Sequence, residues 1–185
     1  MSHTSPLHVV VPVALALFLG QAPQANWVGT WVLDADRSTF GAILFPGAPA
    51  DISIVSQTLT ITQTETQMVL SGDTVVSGTG RSYHDATTLR LDGAPTTVGP
   101  ASLALRQVDR AAFEVVTQLT TTTHNVGEIS RFAVSSDGMS LTETKTQTAR
   151  AQVLEGADPT TAAVLKTSTS VLLFVKVAAL HPEKP

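Results

Sequence analysis

The chain has 185 residues, a formal net charge of −4 and no cysteine. This length fits one ordinary domain with short appendages. Charged residues make up 14% of the sequence, where about a quarter is usual, so a disordered polyelectrolyte and a coiled coil are excluded. The negative balance argues against a nucleic-acid partner. Without cysteine, disulfide scaffolds, zinc–thiolate sites and thiol nucleophiles are also excluded.

The N-terminal segment is apolar, and Asp34 is the first Asp, Glu, Lys or Arg in the chain. The apolar run covers residues 7–20, which is shorter than the roughly 17–25 residues of a bilayer crossing. It matches the apolar core of a secretory signal, followed by small residues at Ala22 and Ala25. We therefore predict a signal peptide over residues 1–25, export to the periplasm or the medium, and no stable membrane span after processing. A retained anchor and a buried segment are the alternatives.

The following chain is a series of short β-rich segments separated by turn signals at intervals of about 8–12 residues. Asp92-Gly93 and Asp137-Gly138 are typical hairpin turns. Short links between successive strands predict an all-β domain at residues 26–178, an antiparallel up-and-down barrel of about 8–10 strands, with a tail at 179–185. The predicted strands cover residues 27–33, 52–62, 67–76, 81–91, 96–98, 102–108, 113–122, 128–135, 139–148 and 169–177.

Two longer segments interrupt this series of hairpins. Residues 34–51 are rich in Gly, Ala and Pro, and we expect them to cross one barrel end as a plug formed by Phe40, Ile43, Leu44 and Phe45. In residues 149–166, Asp158-Pro159 is typical of a helix start and predicts a short helix before the last strand. This second insert is interpreted either as a lid over a cavity or as a surface loop.

Threonine alternates strictly in two strands, which places each set on one face of the sheet. Between Thr142 and Thr148 the intervening residues are Glu143, Lys145 and Gln147. These belong in water, so we expect the later threonines, with Thr144 as a ligand contact, to face inward. The earlier set, Thr58 to Thr66, is expected to face outward, because Leu59 and Ile61 alternate with it. Strand propensity, a hydroxyl-lined cavity and a flat threonine array for an ordered surface or glycan are the open interpretations.

A set of motifs resembles that of small exported bacterial lipocalin-like proteins of the calycin group. The set begins with Gly29-Thr30-Trp31, followed by Asp34 and by Arg37-Ser38-Thr39-Phe40. It continues with a Pro/Gly loop and further matches at residues 45–49, 91–93, 106–109 and 134–142. The resemblance implies a barrel with an internal apolar site, and a basic residue packed on the tryptophan, for which Lys176 is the nearest candidate. The Arg-x-Tyr triad of fatty-acid-binding proteins is missing from the sequence.

The candidate ligand-binding residues are few. Trp31 either floors a cavity or plugs the closed barrel end. Tyr83 is the single tyrosine, and Arg106 and Arg131 could polarise a carbonyl or an anion. The sequence holds no nucleophile elbow, phosphate loop or metal-ligand spacing, so we expect no metal and no cofactor and assign no catalytic residue.

Three functions follow from this sequence. The leading hypothesis is an exported barrel that binds a small, largely apolar molecule in a cavity of roughly 300 Å³ or more. One alternative is a structural or surface module that self-associates through its Thr-rich strands or binds glycan. Another is an enzyme at the barrel mouth, a cyclase, isomerase or hydrolase, which would need a buried ionisable group with a strongly shifted pKa.

Overall fold

The computed structural model describes residues 27–42, 53–77, 81–122, 124–151 and 166–177. Apart from a single 3-10 turn at Ala35–Arg37, the regular elements of these ranges are strands. The strands are β1 (Gly29–Leu33), β2 (Ile54–Gln63), β3 (Gln67–Val76), β4 (Ser82–Arg90), β5 (Thr96–Val98), β6 (Ala101–Gln107), β7 (Ala112–Thr120), β8 (His124–Val134), β9 (Ser140–Ala151) and β10 (Lys166–Lys176).

The ten strands form one antiparallel sheet in the order β4-β3-β2-β1-β10-β9-β8-β7-β6-β5. The last strand lies between the first strand and β9, and every other pair of neighbours is consecutive in the chain. The sheet curls until β4 packs against β5 and β6, which leaves a seam where the described strands form no ladder. The predicted class, an up-and-down antiparallel barrel, is confirmed, and the cylinder is nearly closed.

The barrel interior has an apolar half and a polar half. The apolar half is filled by side chains that are almost completely buried, those of Trp31, Ile61, Met68, Leu89, Leu141 and Phe174. Aromatic contacts extend this core, because Phe113 stacks on Phe132 at 4.9 Å and meets Trp27 edge-on at 5.2 Å. Further along β8 and β9, the inward positions carry polar side chains. The charged side chains of the polar half therefore come mainly from these two strands.

The face assignment of β9 corrects the sequence prediction. Leu141, Glu143 and Gln147 are buried on the inner face, whereas Thr142 and Thr144 alternate with them and point outward. The expectation that the threonines of this strand face inward is therefore wrong. It assumed that charged side chains must face water, but here they lie inside next to groups of opposite charge. On β2 the expectation is confirmed, because Leu59 and Ile61 are buried and the threonines that alternate with them lie on the outer face.

The described part of the segment after β1, residues 34–42, runs beside β10. Asp34 caps the 3-10 turn by accepting a hydrogen bond from the Arg37 amide at 3.3 Å. The Ser38 hydroxyl donates to the Asp34 carbonyl at 2.7 Å and accepts from the Leu173 amide at 2.9 Å. Thr39 and Val171 then exchange two backbone hydrogen bonds. The Asp34 to Ser38 motif thus attaches the connection to the barrel wall.

Phe40 is exposed, so its predicted role in an end plug is wrong. The other predicted plug residues, the signal peptide, the helix and lid of the second insert, and the tail lie outside the described residues. Among the residues that are described, no helix has the length and apolar character needed to span a membrane.

Candidate functional site

A cavity of about 170 Å³ lies inside the barrel, where the apolar half meets the polar half. It is smaller than the expected volume of roughly 300 Å³, and therefore suits only a small molecule. Its apolar wall is formed by Leu59, Leu70, Leu103 and Val115. The rest of its lining is polar or small and consists of Gln57, Gly72, Asp85, Thr87, Thr117, Glu128, Ser130, Glu143 and Lys145.

An ion cluster on β8 and β9 lines the polar side of this cavity. The Lys145 ammonium lies 3.4 Å from Glu143 Oε1 and 4.0 Å from Glu128 Oε1. The negative charge of Glu143 is the main cause that raises the pKa of Lys145, with Glu128 and Asp85 acting in the same direction and burial acting against them. Lys145 is therefore protonated at neutral pH. Its amine is not a nucleophile in this state.

Glu128 is held in place by two neutral neighbours. Gln147 donates a hydrogen bond from Nε2 to Glu128 Oε2 at 2.6 Å, and Ser130 donates from its hydroxyl to Oε1 at 3.4 Å. Both donors are buried. Hydrogen bonds from buried donors fix the direction of a carboxylate.

Gln57 contributes a buried acceptor to the cavity. Its Oε1 atom is shielded from solvent and has no hydrogen-bond partner among the described residues. A buried carbonyl oxygen without a donor costs free energy.

Asp85 reaches the cavity because it is paired with a glycine. Asp85 on β4 is opposite Gly72 on β3, and its Oδ1 atom lies 2.7 Å from the place that a β-carbon of residue 72 would occupy. Any side chain at position 72 would displace this carboxylate. The glycine therefore permits an acidic group at the seam between β4 and β6.

Trp31 closes the apolar half and is not among the residues that line the cavity. Its side chain is fully buried, and its Nε1 atom donates to the Trp27 carbonyl at 3.0 Å. Lys176 lies 5.0 Å from the centroid of the indole ring, as predicted from the motif. The Lys176 chain passes over Gly29, where a β-carbon would lie only 2.9 Å from Lys176 Cε. Gly29 and Trp31 of the Gly-x-Trp motif thus both pack against the Lys176 side chain.

Arg106 and Arg131 belong to an ion cluster on the outer face. Both contact Glu114, Arg106 through Nε at 2.9 Å and Arg131 through a guanidinium nitrogen at 3.6 Å. Arg131 also lies 3.9 Å from Asp109. The two arginines cover Glu114, whose exposed fraction is only 8% although it points away from the interior.

The other two predicted contacts also lie away from the cavity lining. Tyr83 on β4 is 48% exposed, and Thr144 is on the outer face of β9 between Arg131 and Val171. The structure therefore does not bring the five sequence-predicted residues together. Their ligand-binding role stays a prediction.

Sequence reasoning missed the inner charged cluster, although a signal for it exists. One face of β9 carries every second residue of the strand, at positions 141, 143, 145, 147 and 149. This series begins with Leu141 and ends with Ala149. Both apolar ends are buried. Two apolar ends on one face predict that the polar residues between them also point inward.

A second depression, of about 380 Å³, lies on the rim between the turn at residues 65–67 and the turn at 90–92. Its charged groups are exposed, and Arg90 binds Asp92 there, which lowers the pKa of Asp92 to about 2. This surface groove lacks the buried unpaired acceptor and the apolar wall of the internal cavity.

Comparison with protein-family models and with curated proteins finds no match for the chain. The barrel is consistent with a calycin-like fold. In the described part of the chain, no group of three or more His, Asp or Glu residues is arranged to hold a metal ion.

Proposed function

We propose that this protein binds a small amphipathic molecule inside its barrel. The observation that carries the proposal is the cavity of about 170 Å³ between an apolar wall and a charged wall. Leucine and valine side chains can cover the apolar part of a ligand, while the opposite wall offers oriented polar groups. Ligand sites commonly combine a mostly apolar lining with a few placed polar groups.

The charged wall supports binding rather than covalent catalysis. Lys145 is held protonated by Glu143, and Glu128 is fixed by Gln147 and Ser130. Paired and hydrogen-bonded groups orient a ligand without first changing their own protonation state. The lipocalin-like motifs of the sequence agree with an internal ligand. The charged side chains of the lining favour a ligand with a polar end over a largely apolar one.

The proposal is tested by titrating the protein with benzyl alcohol, a small neutral probe with an apolar ring, and recording ¹H–¹⁵N NMR spectra. We expect amide shifts concentrated at Leu103, Val115 and Ser130. Thr117→Phe places a ring in the cavity and should abolish these shifts. Val116→Phe, on the outer face of the same strand, should preserve them. Shifts that survive Thr117→Phe would refute internal binding, as would the absence of saturable shifts both with benzyl alcohol and with its ammonium counterpart, benzylammonium.

We also propose that the barrel is exported, on the basis of the apolar run at residues 7–20 and the small residues after it. Expression of the full chain in a bacterial host, followed by fractionation and intact-mass measurement, tests this proposal. A protein released from the cytoplasm and beginning near residue 26 is expected. A full-length chain that stays in the cytoplasm would contradict it.

A further inference from the structure

We infer that the internal cavity selects an organic cation, an ammonium ion with a short apolar body. This inference rests on the proposed internal binding and adds the chemical class of the ligand.

The charges around the cavity are unequal. Three carboxylates line it, those of Glu143, Glu128 and Asp85, against the single ammonium of Lys145. Lys145 lies close to the two glutamates, and Asp85 approaches from β4 on the other side of the seam. Two negative charges are left in excess. Those of Glu143 and Glu128 have little solvent access and are less screened than in water, whereas Asp85 is exposed at the seam. A cation is therefore favoured at this wall and an anion is repelled.

The hydrogen-bonding groups of the cavity also favour an ammonium ligand. Gln57 Oε1 is a buried acceptor without a donor among the described residues, and carboxylates accept hydrogen bonds but donate none when charged. An ammonium group carries several N–H donors and no acceptor. It can donate to more than one of the cavity carboxylates at the same time, which neither a carboxylate ligand nor an ether can do.

The apolar wall limits the rest of the ligand. Leu59 is two positions from Gln57 on the same face of β2, so an apolar body would lie directly beside the bound ammonium. An apolar cavity of about 150 Å³ holds one benzene molecule. At about 170 Å³, this cavity takes a single ring or a short alkyl chain with one cationic arm.

The test is a matched series of benzylammonium, benzyl alcohol and benzoate, titrated by calorimetry at pH 7 and low salt. We expect benzylammonium to bind about tenfold more tightly than benzyl alcohol, which is the effect of one hydrogen bond to a charged group. Benzoate should bind most weakly. Equal or tighter binding of benzyl alcohol or benzoate would overturn the inference while leaving internal binding intact. If none of the three probes binds, the proposed function itself fails.

A variant at the seam makes the test independent of folding. Asp85→Asn removes one cavity charge on an exposed edge strand without touching the contacts of Lys145 to the glutamates. It should weaken benzylammonium binding severalfold and leave benzyl alcohol unchanged. Asp73→Asn is the matched control, because Asp73 lies on the outer face beside His84. Equal effects of the two substitutions on benzylammonium would contradict the inference.

Discussion

At the scale of single residues, the interior of this barrel depends on charges that compensate each other. Lys145 has a side chain that is 30% exposed, while that of Glu143 is only 6% exposed. Removing one partner of such a pair leaves a charge with little access to water. Loss of one partner alone is therefore expected to destabilise the polar half of the barrel, whereas an apolar replacement of both partners would be tolerated.

Lys145→Met should lower the free energy of unfolding by about 2 kcal/mol, less than for a fully buried pair because Lys145 keeps some contact with solvent. In the double variant with Glu143→Gln the loss should be smaller than the sum of the single losses, with a coupling of about 1 kcal/mol. Urea unfolding monitored by tryptophan fluorescence measures each value. The control cycle is Arg131→Met with Asp109→Asn on the outer face, where coupling below about 0.5 kcal/mol is expected. Equal coupling in both cycles would contradict the special role of the inner pair.

The pH dependence follows from the raised pKa of Lys145, whose ordinary value is 10.5. Because the folded state binds this proton more tightly than the unfolded state, the stabilisation is fully present below about pH 10.5 and is lost as the pH rises through the folded-state pKa. The stability difference between the parent protein and Lys145→Met should thus shrink between pH 10 and pH 12. Urea unfolding of both proteins across this range measures it, and a constant difference would show that the lysine charge is not the cause.

At the scale of elements, β9 shows which part of a strand prediction is reliable. Its position and its hairpin with β8 follow from alternation and from the Asp137-Gly138 turn, whose Asp137 side chain accepts a hydrogen bond from the Met139 amide at 2.9 Å. These signals do not determine which face of β9 points inward, because a shift of one position exchanges the two faces while every local propensity stays the same. Pairing between Lys145 and Glu143 within β9, together with Glu128 supplied by β8, makes the charged face suitable for the interior.

Two substitutions at neighbouring positions test which face of β9 points into the barrel. Leu141→Ala should lower the free energy of unfolding by about 2–4 kcal/mol, because Leu141 is fully buried between Val134 and Phe174. Thr142→Ala, on the outer face, should cost less than about 1 kcal/mol. Thermal unfolding measured by circular dichroism gives both values. The reverse order would show that the threonines face inward after all.

At the scale of the whole molecule, the seam between β4 and β6 distinguishes this barrel from a fully closed one. Along the seam, backbone groups of the described edge strands have no ladder partner, and such edges open more readily than central strands. The cavity lining spans this seam, with Asp85 on β4 and Leu103 on β6. The seam therefore gives a route by which a ligand could enter without unfolding the apolar end.

Hydrogen exchange of the backbone amides tests this property of the seam. We expect β4 and β5 to exchange faster than β8, β9 and β10, which are paired on both sides. Benzylammonium should slow exchange in β4 and should leave β10 unaffected. Uniform protection around the sheet would indicate that the barrel closes completely in solution.

Much of the fold could be predicted from sequence, and little of the site. Alternation and the Asp-Gly turns place the strands, and the Gly-x-Trp motif predicts the contact of Trp31 with Lys176. The cavity is different because its groups come from seven strands, so no local pattern contains them together. Arg106 and Arg131 illustrate the difficulty, since their partner is Glu114, an outward carboxylate that looks the same in sequence as the inward Glu143.

The place of β10 has a consequence for how the chain is made. β10 is the strand that joins β1–β4 to β5–β9, and its contact with the first connection links Ser38 to Leu173, 135 positions apart. A ribosome therefore produces two separate meanders before it produces the strand that unites them, and until then β1 and β9 each present an open edge. We expect nascent chains of this barrel to be most prone to pair with each other at that moment, and a chain that stops before β10 to lack the strand that joins β1 to β9.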